Sequence, residues 1–250
     1  MRTQDAIETY DTLLLDAATD VFDARRQFLR ANFDGYVEDT YYVRDEGYFC
    51  WPAQEDGFFL GYTELTADEA DVIARLEAEG FELLGVGLGR IACAFPTEYD
   101  ELVVKLGRCG MGDVFGQGRR SNLVEHATYR NAPDDAPLLP CWYCAGRGEY
   151  AIYPRAEETG PTEVSATTLD ELRSVISRFA PTVDLDELSR MKNLCRWDGA
   201  IRTLDYAFPA DVRLPYGVPA HVDGNAVIEA VDERRRRGTQ RDLKDGGGFV

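Results

Sequence analysis

Apolar residues at Ile7, Tyr10, Leu14, Ala18, Val21, Phe28 and Leu29 recur at close to helical spacing, which predicts an amphipathic helix over residues 5–30. Aromatic runs at Tyr48-Phe49-Cys50-Trp51-Pro52 and Phe58-Phe59-Leu60-Gly61-Tyr62 flank Asp56-Gly57, a hairpin signal. Thr66 and Glu69 have capping-box spacing, and Val72, Ile73 and Leu76 give the apolar stripe of a helix ending at Gly80. From Phe81 the pattern turns to β. Strands are predicted at 81–84 and 91–95, joined by glycines, and at 101–106. Residues 107–120 hold five glycines and read as a flexible loop; 119–130 is helical in pattern. Residues 138–143 and 150–153 read as a hairpin across Gly146-Arg147-Gly148. An acidic linker, 157–166, leads to a helix over 169–179 with Thr167 or Thr168 as its cap, and a strand at 200–204 follows the Asp198-Gly199 turn. The end, 233–250, carries Arg234 to Arg237 and Gly246 to Gly248 and reads as a frayed helix and tail. The class is α+β, and no repeat is present.

Composition narrows the setting. At 44% hydrophobic residues the 250-residue chain has material for a folded core. A formal charge of −18 combines 45 acids with 27 bases, and only Lys105, Lys192 and Lys244 are lysines. Such acid-rich, lysine-poor composition suits a halophilic setting, where the Debye length falls to about 3 Å and self-repulsion is screened. The field disfavours nucleic acid and anionic membranes as general partners. No signal peptide or apolar span is apparent, so a soluble, cytoplasmic chain with reduced thiols is expected.

Two features carry candidate chemistry. Gly85-x-Gly87-x-Gly89 between strands lets backbone N–H groups approach phosphates without Cβ obstruction, or simply makes a tight hairpin. Val103-Val104-Lys105 then places an ammonium at the end of an apolar strand. In this order the segment resembles the protein kinase-like family, whose pattern is a glycine-rich hairpin, a Val-Ala-Ile-Lys type strand and a helix glutamate that orients the lysine. Lys105 lies 20 residues after Gly85, and Glu125 follows 20 later in the helical stretch. The resemblance implies a β-rich lobe over 81–156, with Tyr153 gatekeeper-like and Pro154-Arg155 as hinge. It also implies a metal pair, Asn193 and Asp205, across the short hairpin of 193–205. Asp205-Tyr206-Ala207 stands for Asp-Phe-Gly.

The fold so implied is a two-lobed kinase-like one. A helix-hairpin-helix extension occupies 1–80, and a reduced helical lobe spans 157–232. The expected ligands are ATP and Mg2+. Lys105, Gly85, Gly87, Gly89, Tyr153 and Arg155 would meet the nucleotide, with Glu125 orienting Lys105. The chain departs from the pattern at Leu188, where the family has its catalytic aspartate. Asp186, two residues earlier, is the candidate base. There is no Ala-Pro-Glu motif, and the third glycine is displaced. The expected function is therefore an ATP- and Mg2+-binding kinase-like protein, possible as a phosphotransferase. The alternative is an inactive pseudokinase-type scaffold with a protein partner. Cys141-Trp142-Tyr143-Cys144 allows a redox dithiol, half a zinc site, or two small hydrophobes on a core strand. His126 reads as a helix-face residue.

Overall fold

The computed structural model describes residues 2–32, 64–87, 89–109, 118–159, 164–179 and 193–206. The expected hairpin at 48–62, the loop centre at 110–117, Asp186, Leu188 and the tail at 233–250 lie outside the described residues. Four α-helices are described: α1 (Arg2–Asn32), α2 (Ala67–Ala78), α3 (Gly118–Asn131) and α4 (Ala166–Phe179). The strands are β1 (Glu82–Val86), β2 (Arg90–Ala94), β3 (Leu102–Gly107), β4 (Tyr143–Cys144), β5 (Tyr150–Pro154), β6 (Glu157–Glu158), β7 (Leu194–Trp197) and β8 (Ala200–Thr203). None of the described helices is long and apolar enough to cross a membrane.

The first five strands form one antiparallel sheet in the order β1-β2-β3-β5-β4. Side chains alternate across a strand, and here each face meets its own layer. Ile91, Cys93, Leu102, Val104, Leu106, Tyr150 and Ile152 share one core with Leu14, Ala18 and Val21 of α1 and Val72, Ile73 and Leu76 of α2. On the opposite face Ala151 and Tyr153 pack with Leu139, Cys141 and Cys195. Because both faces are covered, all six residues of β3 are buried, which explains its nearly continuous apolar run. The helices of the expected 1–80 extension thus share the core of the sheet.

Local chemistry sets the ends of these elements. Thr66 Oγ1 accepts from Glu69 N at 3.2 Å, and Thr66 N donates back to the Glu69 carboxylate at 2.8 Å, completing the capping box of α2. At the other end Phe81 N donates to Leu76 O and Gly80 N to Glu77 O, a Schellman closure that needs the positive φ of Gly80 (92°). Asp198 and Gly199 both take positive φ, 51° and 72°, as a two-residue turn between right-twisted strands requires.

Three expectations are corrected. Residues 138–143 do not make one strand. Tyr143–Cys144 pairs with β5, with Trp142 N donating to Ile152 O, while Leu138 bridges Thr203, and Leu139 N donates to Thr203 O at 2.9 Å. Pro140, which has no N–H, separates the two pairings. The linker at 157–166 contains β6, which pairs with β7. The cap of α4 is Ser165, whose hydroxyl accepts from Thr168 N at 3.1 Å, so Thr167 and Thr168 lie in the first turn.

One buried ion pair ties the helical layer to the glycine hairpin. Arg108, just past β3, donates from Nε and Nη2 to the two oxygens of Glu69 at 2.8 Å each. Nη2 also reaches the Glu64 carbonyl, and Nη1 the Gly87 carbonyl. Arg25 of α1 stands 3.9 Å from Glu69. Glu69, Arg108 and Arg25 are all buried. Removing one partner of such a pair leaves a buried charge without its counter-ion. Glu69→Gln keeps a residue that can close the capping box yet removes the charge. It is expected to cost about 3–5 kcal/mol in urea unfolding, whereas Asp71→Asn on the exposed side of α2 stays within about 0.5 kcal/mol. Equal effects would contradict this role.

Candidate functional site

The register of the sheet assembles the site. Lys105 is flanked across the ladder by Ala92 on β2 and Ala151 on β5. Directly opposed residues share a face, and so do residues two apart. Arg90, Lys105 and Tyr153 therefore project from one face on three adjacent strands, and the two alanines leave room for the long side chains. Above them runs α3. Asn122 donates through Nδ2 to the Lys105 carbonyl at 3.1 Å and to the Gly148 carbonyl at 2.9 Å, fixing the helix on β3 and on the turn before β5. One helical turn later, on the same face, Glu125 meets the sheet.

Glu125 is fully buried and is the centre of the site. Arg90 Nη2 donates to its Oε1 at 2.7 Å, and Arg90 Nη1 lies 2.7 Å from its Oε2. The Lys105 ammonium stands 3.6 Å from Oε2. Tyr153 donates its hydroxyl to Oε2 at 2.7 Å, and Tyr206 N donates to Oε1 at 3.3 Å. Lys105 also donates to the Leu204 carbonyl at 3.1 Å and sits 4.3 Å from the Tyr153 ring centroid. Arg90 Nη2 reaches Asp205 Oδ1 at 3.0 Å. Asp205 is held by its neighbours: Leu204 N donates to the Asn193 carbonyl at 2.7 Å, and the Tyr206 hydroxyl to the Leu139 carbonyl at 2.6 Å. The cluster opens on one side. The Arg90 and Lys105 side chains are 12% and 10% exposed, that of Asp205 45%.

Two cations and two carboxylates make this cluster formally neutral. Burial pushes the Glu125 carboxyl up, but the Arg90 and Lys105 charges, with hydrogen bonds from Arg90 and Tyr153, outweigh it and hold the group at about 2. Burial and the adjacent guanidinium draw the Lys105 ammonium below its ordinary value, against Glu125 and Asp205. Burial likewise opposes the charge on Arg90, yet the two carboxylates keep it firmly protonated. The Tyr153 phenol is pushed up by burial and stays a donor.

Lys105, Glu125, Tyr153 and Asp205 are thus brought together. Buried Asn193 joins them through the backbone bond to Leu204. Gly85, Gly87 and Gly89 lie on the β1–β2 hairpin, closed by Gly87 N donating to Arg90 O at 2.8 Å. A side chain at Gly85 would meet nothing within 4 Å, so the backbone there is open. The Gly89 carbonyl accepts from Arg108 N, and a Cβ on Gly118 would collide with that carbonyl, which fixes the hairpin tip against the start of α3. Arg155 stands apart from the cluster, paired with Glu82 at 3.1 Å.

Arg90 is the residue that sequence reasoning left without a role, and Tyr206 was placed only as the middle of the Asp205-Tyr206-Ala207 motif. The signal for Arg90 was its place two residues before Ala92, legible once the β2–β3 register is known. In the Cys141–Cys144 pair, burial pushes the Cys141 thiol up to about 12 and Cys144 up as well, which disfavours the free thiolate that redox chemistry uses. His126 is half-buried, and burial lowers its basicity. No protein-family model matches the chain, and a comparison with curated proteins found no match.

The Glu125 carboxyl has an ordinary value of 4.5, and its folded value lies lower. Its stabilisation is therefore complete above about pH 4.5 and is lost as pH falls toward 2. In urea titrations, Glu125→Gln is expected to be less stable than wild type by about 3–5 kcal/mol at pH 7, with the gap shrinking from pH 4.5 to 3. A gap independent of pH would count against the ionised, doubly paired carboxylate.

Proposed function

We propose that the chain binds ATP with Mg2+ in a kinase-like frame and transfers the γ-phosphoryl group to an acceptor. The observation that carries this reading is the Lys105–Glu125 ion pair between β3 and α3, with Asp205 in the same cluster. Hairpin, lysine strand, glutamate helix and two further strands follow one another in the order that the family resemblance implies. In this reading Lys105 takes the α- and β-phosphates, Glu125 orients it, and the open backbone at Gly85 with Gly87 and Gly89 faces the phosphates. Tyr153 borders the nucleotide, Arg155 lies in the hinge away from the ion-pair cluster, and Asp186 is the base for the acceptor hydroxyl. The finer architecture, with a reduced helical lobe over 157–232, belongs to the same proposal.

Asp205 and Asn193 offer hard oxygen donors of the kind Mg2+ takes, and Asp205 already carries a cationic partner, Arg90. The oxygen chemistry of these residues, with the Asp205 side chain 45% exposed on the open side of the cluster, fits the metal. Held by Asp205 and Asn193, Mg2+ would supply positive charge to offset the negative charge of the phosphates. What the chain itself does is hold Lys105 still. Glu125, the Leu204 carbonyl and the Tyr153 ring fix its ammonium, so little orientational freedom remains to be lost on binding.

A second reading, a scaffold that keeps the frame without turnover, is favoured by the guanidinium of Arg90 on Asp205. Melting with and without MgATP, together with a γ-phosphate transfer assay, separates the two. Wild type is expected to gain several degrees in Tm, and Lys105→Met and Asp205→Asn to lose at least ten-fold in affinity. Binding without transfer supports the scaffold; no binding removes both nucleotide-based versions.

A further inference from the structure

Arg90 is the least expected member of the cluster, and its two attachments differ. Toward Glu125 it presents both terminal nitrogens at 2.7 Å to a carboxylate that is wholly buried. Toward Asp205 it makes one contact at 3.0 Å, on the side where the cluster meets solvent. Glu125 has further donors in Tyr153 and the Tyr206 amide and a further cation in Lys105. Arg90 is therefore anchored at Glu125, and the Asp205 arm is the exchangeable one.

The charges show what the arm does. With Arg90, Lys105, Glu125 and Asp205 ionised the cluster has no net charge, so it offers an incoming anion no surplus cation. The Nη2 N–H now on Asp205 can donate to a phosphate oxygen as well as to a carboxylate, and a polyphosphate brings more negative charge than one aspartate. A divalent cation, in turn, needs the Asp205 oxygens that Arg90 now holds.

We infer that Arg90 is a resident counter-ion that keeps Asp205 from taking a divalent cation until a polyphosphate draws the guanidinium to itself. Anion and metal then enter together: Arg90 passes from carboxylate to phosphate while Asp205 passes from guanidinium to metal. No covalent bond changes. The inference rests on the nucleotide reading for the identity of the polyphosphate, while the release of Asp205 is testable with metal alone.

The test uses the full chain in molar KCl, which suppresses diffuse ion binding to the acidic surface. Binding of Mn2+ alone is followed by electron paramagnetic resonance. Wild type is expected to bind weakly, and Arg90→Gln at least ten-fold more tightly. Adding Asp205→Asn to that variant should abolish the gain, which a merely loosened fold would not explain. In EDTA, Arg90→Gln should also bind ATP at least ten-fold more weakly than wild type. Equal Mn2+ affinity of wild type and Arg90→Gln overturns the inference, as does a gain that survives Asp205→Asn. Should Arg90→Gln fail to fold, Arg90→Lys serves. Its ammonium lacks the second terminal nitrogen that Arg90 lays against Glu125 and sits on a shorter side chain, so Asp205 is held less tightly, and at least a three-fold gain in Mn2+ affinity is expected; none overturns the inference. If Arg90→Gln gains Mn2+ but no form binds ATP, the counter-ion role stands and the nucleotide reading falls. If MgATP binds wild type and Mn2+ affinity is unchanged, the reverse holds.

Discussion

A single fully buried carboxylate organises this structure. Leaving Glu125 ionised inside the protein without partners would cost many kcal/mol, so the surrounding fold has to deliver cations and donors to it. It does so from four places, Arg90 at the start of β2, Lys105 within β3, Tyr153 on β5 and the Tyr206 amide after β8, while Asn122 docks α3, which carries Glu125 itself. Each arrival has a simple cause. The sheet register aligns the first three, the small residues Ala92 and Ala151 give them space, and the Leu204–Asn193 and Tyr206–Leu139 bonds hold the last strand against the cluster.

A second buried charge pair, Glu69 with Arg108, does for the helical layer what Glu125 does for the opposite side. Lys105 lies in β3 and Arg108 just past its end, so the position of one strand couples both clusters. Through Arg108 the glycine hairpin is bound to the cap of α2 at one carbonyl, and through Gly118 it abuts the start of α3 at another. The N-terminal helices therefore belong to the site's construction, and any ligand meeting the hairpin backbone meets a loop whose tip is anchored. Glu125 and the Glu69–Arg108 pair are buried, so salt screens them far less than it screens the acidic surface, whereas Asp205 stands at the solvent-facing edge.

What the sequence made legible were features with a short period. Helical spacing located α1 and α3, Thr66 with Glu69 marked the start of α2, and Asp198-Gly199 marked the turn before β8. The family resemblance, and not a local period, implied Lys105 and Glu125 as partners, and the structure joins them. What stayed hidden was non-local. The role of Arg90 depends on which residue of β2 faces Lys105, and the pairing of Leu138 and Leu139 with Thr203 spans more than sixty residues. Ser165 was passed over as the cap because three polar small residues, Ser165, Thr167 and Thr168, compete for it within four positions.

The central claim is that the cations gathered around Glu125 form a polyphosphate site. A phosphorus-31 NMR titration of MgATP with the unmodified protein tests it most directly, because each phosphate reports separately. The account predicts that the α- and β-phosphate resonances shift and broaden as protein is added, and that Lys105→Met removes the change. Resonances unmoved at protein in excess over nucleotide, or a shift of the same size with Lys105→Met, would contradict it.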